Sequence, residues 1–176
     1  MPDTVTYTPV AAMQTVTGST TNTVTFGSIP GTYKDLIVVA NGYALTNGVS
    51  QRIRFNSDTG SNYSLTWMGG DGSAATSGRT TSGSGIYANY LTGWTATSTQ
   101  PSNWIFQIMN YSNATTYKTC LSRANTATGG AYPGTEALVG LWRNTSAITT
   151  ISIEAGYSGT HYFASGTTLA LYGIGA

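Results

Sequence analysis

No part of this chain repeats its apolar residues at helical spacing. Short runs that alternate polar and apolar residues take that place, with turn residues roughly every 8–12 positions. The clearest example lies between Ile29 and Met68. Leu36, Val38 and Ala40 fall on one side of an extended run and Ile37, Val39 and Asn41 on the other. Both sides are apolar at the centre, which predicts a strand buried between two layers. Arg52–Phe55 alternates with both arginines on one side, Tyr63–Met68 follows as a further strand, and the polar loop Asn56–Asn62 is expected to hold the two in register.

The same grammar recurs in Thr23–Phe26, Ile86–Leu91, Asn103–Tyr111, Thr116–Asn125, Glu136–Arg143, Thr149–Ala155, His161–Phe163 and Thr167–Ile174. Glycine and β-branched residues are too frequent for long helices. About ten strands predict an all-β fold, an antiparallel two-sheet β-sandwich of jelly-roll-like form. The 176 residues suit one domain, 1–176. Residues 1–20, with Pro2 and Pro9, read as an edge strand or N-terminal arm, since proline cannot donate to a central ladder. The run Gly69–Gly85 is rich in Gly, Ser and Thr and reads as a long flexible loop.

Charge narrows the function. Only 7% of residues are charged and the net charge is +1, against about 25% charged residues in a typical globular protein. Such a surface offers little repulsion between copies, which favours a protein packed among neighbours over a freely diffusing enzyme. Seven basic residues, offset by six acidic ones, form no stripe for phosphates, so nucleic acid is not an expected partner. No apolar run is long enough to span a bilayer, so no membrane insertion is expected. Cys120 is the single cysteine, and the opening MPDTVTYTPVAAMQ lacks the basic start and apolar core of a secretory signal. Synthesis in a reducing cytoplasm is the expectation.

Catalytic signatures are weak. The six acids, Asp3, Asp35, Asp58, Asp71, Glu136 and Glu154, form no near-sequence pair of the kind a glycosidase needs. The single histidine, His161, has no nucleophile elbow beside it. No enzyme activity and no cofactor are therefore expected. Asn56, Asp58 and Asn62 place oxygen atoms at alternate positions, as a calcium loop does, but without the distal bidentate Glu. A structural turn is the expected role, with a metal site as the alternative. Trp67, Trp104 and Trp142 sit in strand patterns and read as core. Trp94, flanked by turn residues, is the candidate exposed ring, with Tyr87, Tyr90, Tyr132 and Tyr157 behind it. Arg79 is the cation of the glycine-rich stretch. These six are candidates for contact with glycans or with other subunits. Arg52 and Arg54 share a strand face with Asp58 close by in sequence, which suits a cross-strand ion pair or a subunit contact more than a ligand site.

Two pieces carry a resemblance. They are Ile29-Pro-Gly-Thr-Tyr-Lys-Asp-Leu-Ile-Val-Val39, leading into Arg52-Ile-Arg-Phe-Asn-Ser-Asp-Thr-Gly-Ser-Asn-Tyr-Ser64, and the ending Gly166-Thr-Thr-Leu-Ala-Leu-Tyr-Gly-Ile174. They are similar to tailed-bacteriophage virion proteins, many from phages of aquatic and cyanobacterial hosts. The resemblance implies a β-sandwich module of the particle, often trimeric. It points to a capsid decoration (cement) protein whose partners are its own copies and the major capsid protein. The alternative it implies is a tail-fibre or receptor-binding module that recognises host glycans. Either would be located in the virion. No catalytic residues carry over.

Overall fold

The structure is a computed structural model and describes residues 6–96, 101–126, 134–157 and 159–175. Among the described residues it is all-β. The strands are β1 (Tyr7–Pro9), β2 (Gln14–Thr15), β3 (Thr23–Phe26), β4 (Asp35–Gly42), β5 (Gln51–Phe55), β6 (Tyr63–Gly70) and β7 (Ala75–Gly83). There follow β8 (Ile86–Tyr87), β9 (Ser102–Met109), β10 (Lys118–Thr126), β11 (Gly134–Trp142), β12 (Ile151–Ala155) and β13 (Thr168–Ile174). Two antiparallel sheets pack as a jelly-roll-like sandwich. The large sheet runs β1-β13-β4-β9-β10-β11-β6-β7, with β2 also on β13, and the small sheet runs β3-β12-β5-β8.

Alternation places the core. Leu36 and Val38 of β4, Trp104 and Phe106 of β9 and Leu171 of β13 are buried in one cluster with Ile151, Ile153, Ile53, Phe55 and Ile86 of the small sheet. The chain steps between sheets at every connection from β2 to β6, again at β7–β8 and β8–β9, and again at β11–β12 and β12–β13. Asn56–Asn62 is therefore a crossover between sheets, not a hairpin turn in register.

Two further expectations are corrected, and the N-terminal one resolves to its edge-strand alternative. The segment 69–85 is not a flexible loop: Ala75–Gly83 pairs with β6 from Gly70↔Ala75 to Tyr63↔Gly83, with one irregularity between Tyr63 and Leu65. The hairpin turn is built by Asp71, whose Oδ1 accepts from Ser73 N at 2.9 Å, Ser73 Oγ at 2.8 Å and Ala74 N at 2.9 Å. Gly78 faces the Trp67 ring, and a Cβ there would lie 2.7 Å from Cζ2. Glycine is in this strand to make room for an indole. Gly78→Ala is expected to cost about 1–3 kcal/mol through overpacking, read as a lower thermal midpoint with shifted Trp fluorescence. A midpoint equal to wild type would show the ring moves freely.

The N-terminal arm is docked from Tyr7 onward. Tyr7 pairs with Ile174 and Pro9 with Tyr172, which puts proline on an edge strand. Ile86–Leu91 shortens to Ile86–Tyr87, and His161–Phe163 reduces to a bridge between Ala44 and Phe163. The second correction concerns β4. Among the described residues no second sheet covers its outer side, where Ile37 is buried and Val39 half-buried among neighbouring side chains.

Candidate functional site

Asp58 is the hub of the crossover. Its carboxylate accepts from Gly60 N at 2.8 Å, from Asn62 Nδ2 at 2.9 Å and from the indole Nε1 of buried Trp142 at 2.7 Å. Burial raises its pKa, but the hydrogen bonds from Trp142, Asn62 and Gly60 outweigh it and the net shift is downward. Asn56 Oδ1 accepts from Thr149 N at 2.9 Å and Thr150 N at 3.1 Å, while its Nδ2 donates to Ala147 O at 2.8 Å. The oxygens that suggested a metal loop thus point at N–H donors in different directions. This arrangement ties the loop to β11 and β12 and leaves no convergent oxygen set for a cation.

The aromatic candidates separate. Trp94 is fully buried, edge-on to Phe163 with centroids 6.1 Å apart, so it is a core residue and no contact ring. Its backbone bridges Val49, which closes the segment over the core despite the flanking turn residues. Tyr90 stacks on half-buried Trp67 at 5.4 Å, and Tyr87 meets Tyr90 edge-on at 5.4 Å. These three form one cluster under the β6–β7 hairpin. Tyr157 is 66% exposed. Tyr132 lies outside the described residues. Trp104 and Trp142 are buried, as strand patterning predicts.

Arg52 and Arg54 do form a cross-strand ion pair, with Glu154 of β12. Arg52 Nη2 reaches Glu154 Oε2 at 2.5 Å, and Arg54 Nη1 reaches Oε1 at 2.5 Å. Ser84 seals the group, its carbonyl accepting from Arg54 Nε at 2.8 Å and its hydroxyl 3.3 Å from Arg52 Nη1. His161 is a hydrogen-bonded loop residue whose ring Nδ1 lies 3.4 Å from Thr46 Oγ1.

The most distinctive surface is the open face of the large sheet. Pairing aligns its outward residues in rungs, and side chains two apart on a strand share a face. One rung is polar: Thr168, Asn41, Asn103, Asn125 and Thr135 lie side by side on five strands. The next runs Ala170, Val39, Ile105, Arg123, Ala137, Met68 and Ser77. The third runs Pro9, Tyr172, Ile37, Gln107, Leu121, Val139, Thr66 and Arg79. The fourth includes the neighbours Tyr7 and Ile174 and the neighbours Thr119 and Leu141. The face is apolar toward Tyr7 and Leu141 and polar toward the Asn rung. Arg79 stands exposed at the far end of the third rung.

Sequence reasoning missed Leu121, Val139 and Arg123 because the parity of β10 is inverted. Lys118, Cys120 and Ser122 point inward, while Leu121 and Arg123 point out. Buried Lys118 donates its Nζ to Thr116 O at 2.7 Å and Thr145 O at 3.0 Å. Ser122 donates its hydroxyl to Ala88 O. Thr116 is local, but Thr145 and Ala88 come from distant segments, so no signal within β10 announces the inversion. The register with β9, whose large inward residues are Trp104 and Phe106, sets it.

No family model matches the chain, and no curated protein matches it. Among solved structures, a protein of unknown function from Shewanella oneidensis MR-1 aligns with 11% identity over 96% of this chain and 78% of that one, at a TM-score of 0.23. That is too slight a likeness to carry an argument.

Proposed function

We propose that this protein is a non-enzymatic structural component of a virus particle, a capsid decoration protein that packs as an oligomer through the apolar half of its large-sheet face. The observation that carries the reading is the Leu121–Val139 pair. The two residues are direct cross-strand neighbours at mid-sheet, and Val139 is 56% exposed. Leu141 extends the apolar surface on the next rung, and exposed Tyr7 and half-buried Tyr172 lie beyond Gln107 and the buried Ile37. Scattered apolar residues on a surface are ordinary, but a contiguous band marks an interaction site. The low charge of the chain supports the same reading, since copies repel one another little. So do the carboxylates: Asp35, Asp58, Asp71, Glu136 and Glu154 each accept hydrogen bonds from separate structural donors. The resemblance of residues 29–39, 52–64 and 166–174 to phage virion proteins supplies the particle.

The test is the oligomeric state. Wild-type protein is expected to sediment as a closed oligomer, a trimer on the resemblance. Leu121→Lys with Val139→Lys is expected to give a monomer with unchanged far-UV circular dichroism, because both side chains already face out. A wild type that stays strictly monomeric at high concentration ends the packing reading. Labelled particles seen by electron microscopy with label on the tail alone would end the capsid assignment.

A further inference from the structure

We propose that the polar half of the same face binds an acidic glycan, a chain bearing sugar carboxylates, with Arg123 as the carboxylate anchor. A shallow groove of about 1080 Å³ crosses the ends of β9, β10, β11, β6 and β7. Its polar side is Asn103, Asn125 and Thr135, its apolar floor is Ile105 and Ala137, and Arg123 stands between them; Glu136 also lines it, with its carboxylate turned inward to the N–H groups of Tyr90, Leu91 and Thr92. Arg123 also lines the adjoining slot of about 300 Å³ with Tyr7 and Tyr172.

Charge complementarity selects the occupant. The Arg123 guanidinium is exposed and, among the described residues, takes part in no hydrogen bond or ion pair. A second copy answers it poorly: Asp35, Asp58, Glu136 and Glu154 accept hydrogen bonds on both carboxylate oxygens, which leaves exposed Asp71 of the β6–β7 turn as the single described carboxylate with an open oxygen. The anion therefore belongs to a different molecule. A planar guanidinium suits a carboxylate, which it can hold by two parallel hydrogen bonds. The rest of the groove suits a sugar. Asn side chains both donate and accept, as hydroxyl-rich rings require. The Asn125 Oδ1 is enclosed and has no hydrogen-bond partner among the described residues, and it meets a ligand hydroxyl once the amide turns toward the groove. Ile105 and Ala137 offer a floor for the C–H face of a ring. The lining contains no aromatic ring, so stacking adds nothing and binding is of modest affinity.

The experiment titrates oligogalacturonate into the full-length protein by NMR or calorimetry, with maltotriose and an oligoglutamate of matched charge in parallel. Saturable uronate binding that falls at least tenfold in Arg123→Gln, with the melting temperature unchanged, supports the proposal. A fall of several-fold in Asn125→Ala supports the groove as its place. Arg79→Gln, which lies off the groove, is expected to change affinity less than twofold. An equal loss in Arg79→Gln overturns the site in favour of diffuse charge attraction. Equal binding of oligoglutamate overturns the glycan in favour of an acidic protein. Equal binding of maltotriose removes the role of the carboxylate, and no uronate binding by the wild type overturns the proposal outright. Arg123 adjoins the packing surface through the Tyr7–Tyr172 slot, so sedimentation of Arg123→Gln beside the titration separates loss of binding from loss of packing: an unchanged oligomer with lost uronate binding keeps the two readings apart, and a dissociated one assigns Arg123 to packing.

Discussion

Glu154→Gln is expected to lower stability by about 3–5 kcal/mol, the usual result of removing one partner from a buried ion group. The side chains of Arg52, Arg54 and Glu154 are 11%, 18% and 14% exposed. One carboxylate serves both arginines, accepting also from Arg52 Nε at 3.0 Å. Without that negative charge, two guanidinium groups face each other on the small sheet with little water to screen them. Exposed ion pairs contribute far less, near 0–1 kcal/mol, so burial decides the magnitude. For a chain of this size the loss corresponds to a fall of about 10 °C in melting temperature. Replacing all three residues together by apolar ones of similar volume is expected to recover most of it, because no charge is then left unpaired. A Glu154→Gln midpoint within about 2 °C of wild type would mean that water reaches the arginines.

Glu136→Ala is expected to cost about 3–4 kcal/mol, from the loss of a charged acceptor shared by several buried donors. The Glu136 carboxylate reaches back under the hairpin and accepts from the backbone N–H groups of Tyr90, Leu91 and Thr92, the last at 2.8 Å. Those donors belong to a segment without strand pairing of its own at these positions, so the carboxylate organises the turn beneath the Trp67–Tyr90 stack. Glu136→Gln keeps an acceptor and is expected to lose less.

The Glu136 variants also differ from wild type in pH dependence. Burial pushes the Glu136 pKa up from 4.5, outweighing its three N–H donors. The folded state then holds this proton more tightly than the unfolded chain. The associated stability is fully present below 4.5 and is lost as pH rises through the folded pKa. Asp58 has the opposite sign. Its folded pKa lies below 3.8, so its contribution is present above 3.8 and is lost as pH falls through the folded value. Asp71 is lowered to about 2 by the Ala74 and Ser73 hydrogen bonds of its turn and acts in the same direction. Melting temperature is therefore expected to decline on both sides of the interval between 3.8 and 4.5. Glu136→Gln is expected to remove the decline on the upper side. A slope unchanged in that variant would assign it to another group.

What the sequence alone determined is the fold class and most strand positions. Period-2 alternation is a local property, and wherever a strand buries large apolar residues on one side, as Trp104, Phe106 and Ile108 do, the pattern is readable without the fold. The tertiary structure decided the rest. Asn56–Asn62 resembled a metal loop until the donors from Trp142, Thr149 and Thr150 were in place, and none of these is near it in the chain. Trp94 looked exposed because its neighbours are turn formers, yet the bridge to Val49 and the ring of Phe163 bury it. The glycines of 69–85 suggested mobility, but a strand of small residues is what fits beside an indole. The outer face escaped notice because the distant carbonyls of Thr145 and Ala88 help satisfy Lys118 and Ser122 inside, which freed Leu121 and Arg123 to face outward. In each case the deciding partner sits on another strand or loop, and local pattern carries no record of it.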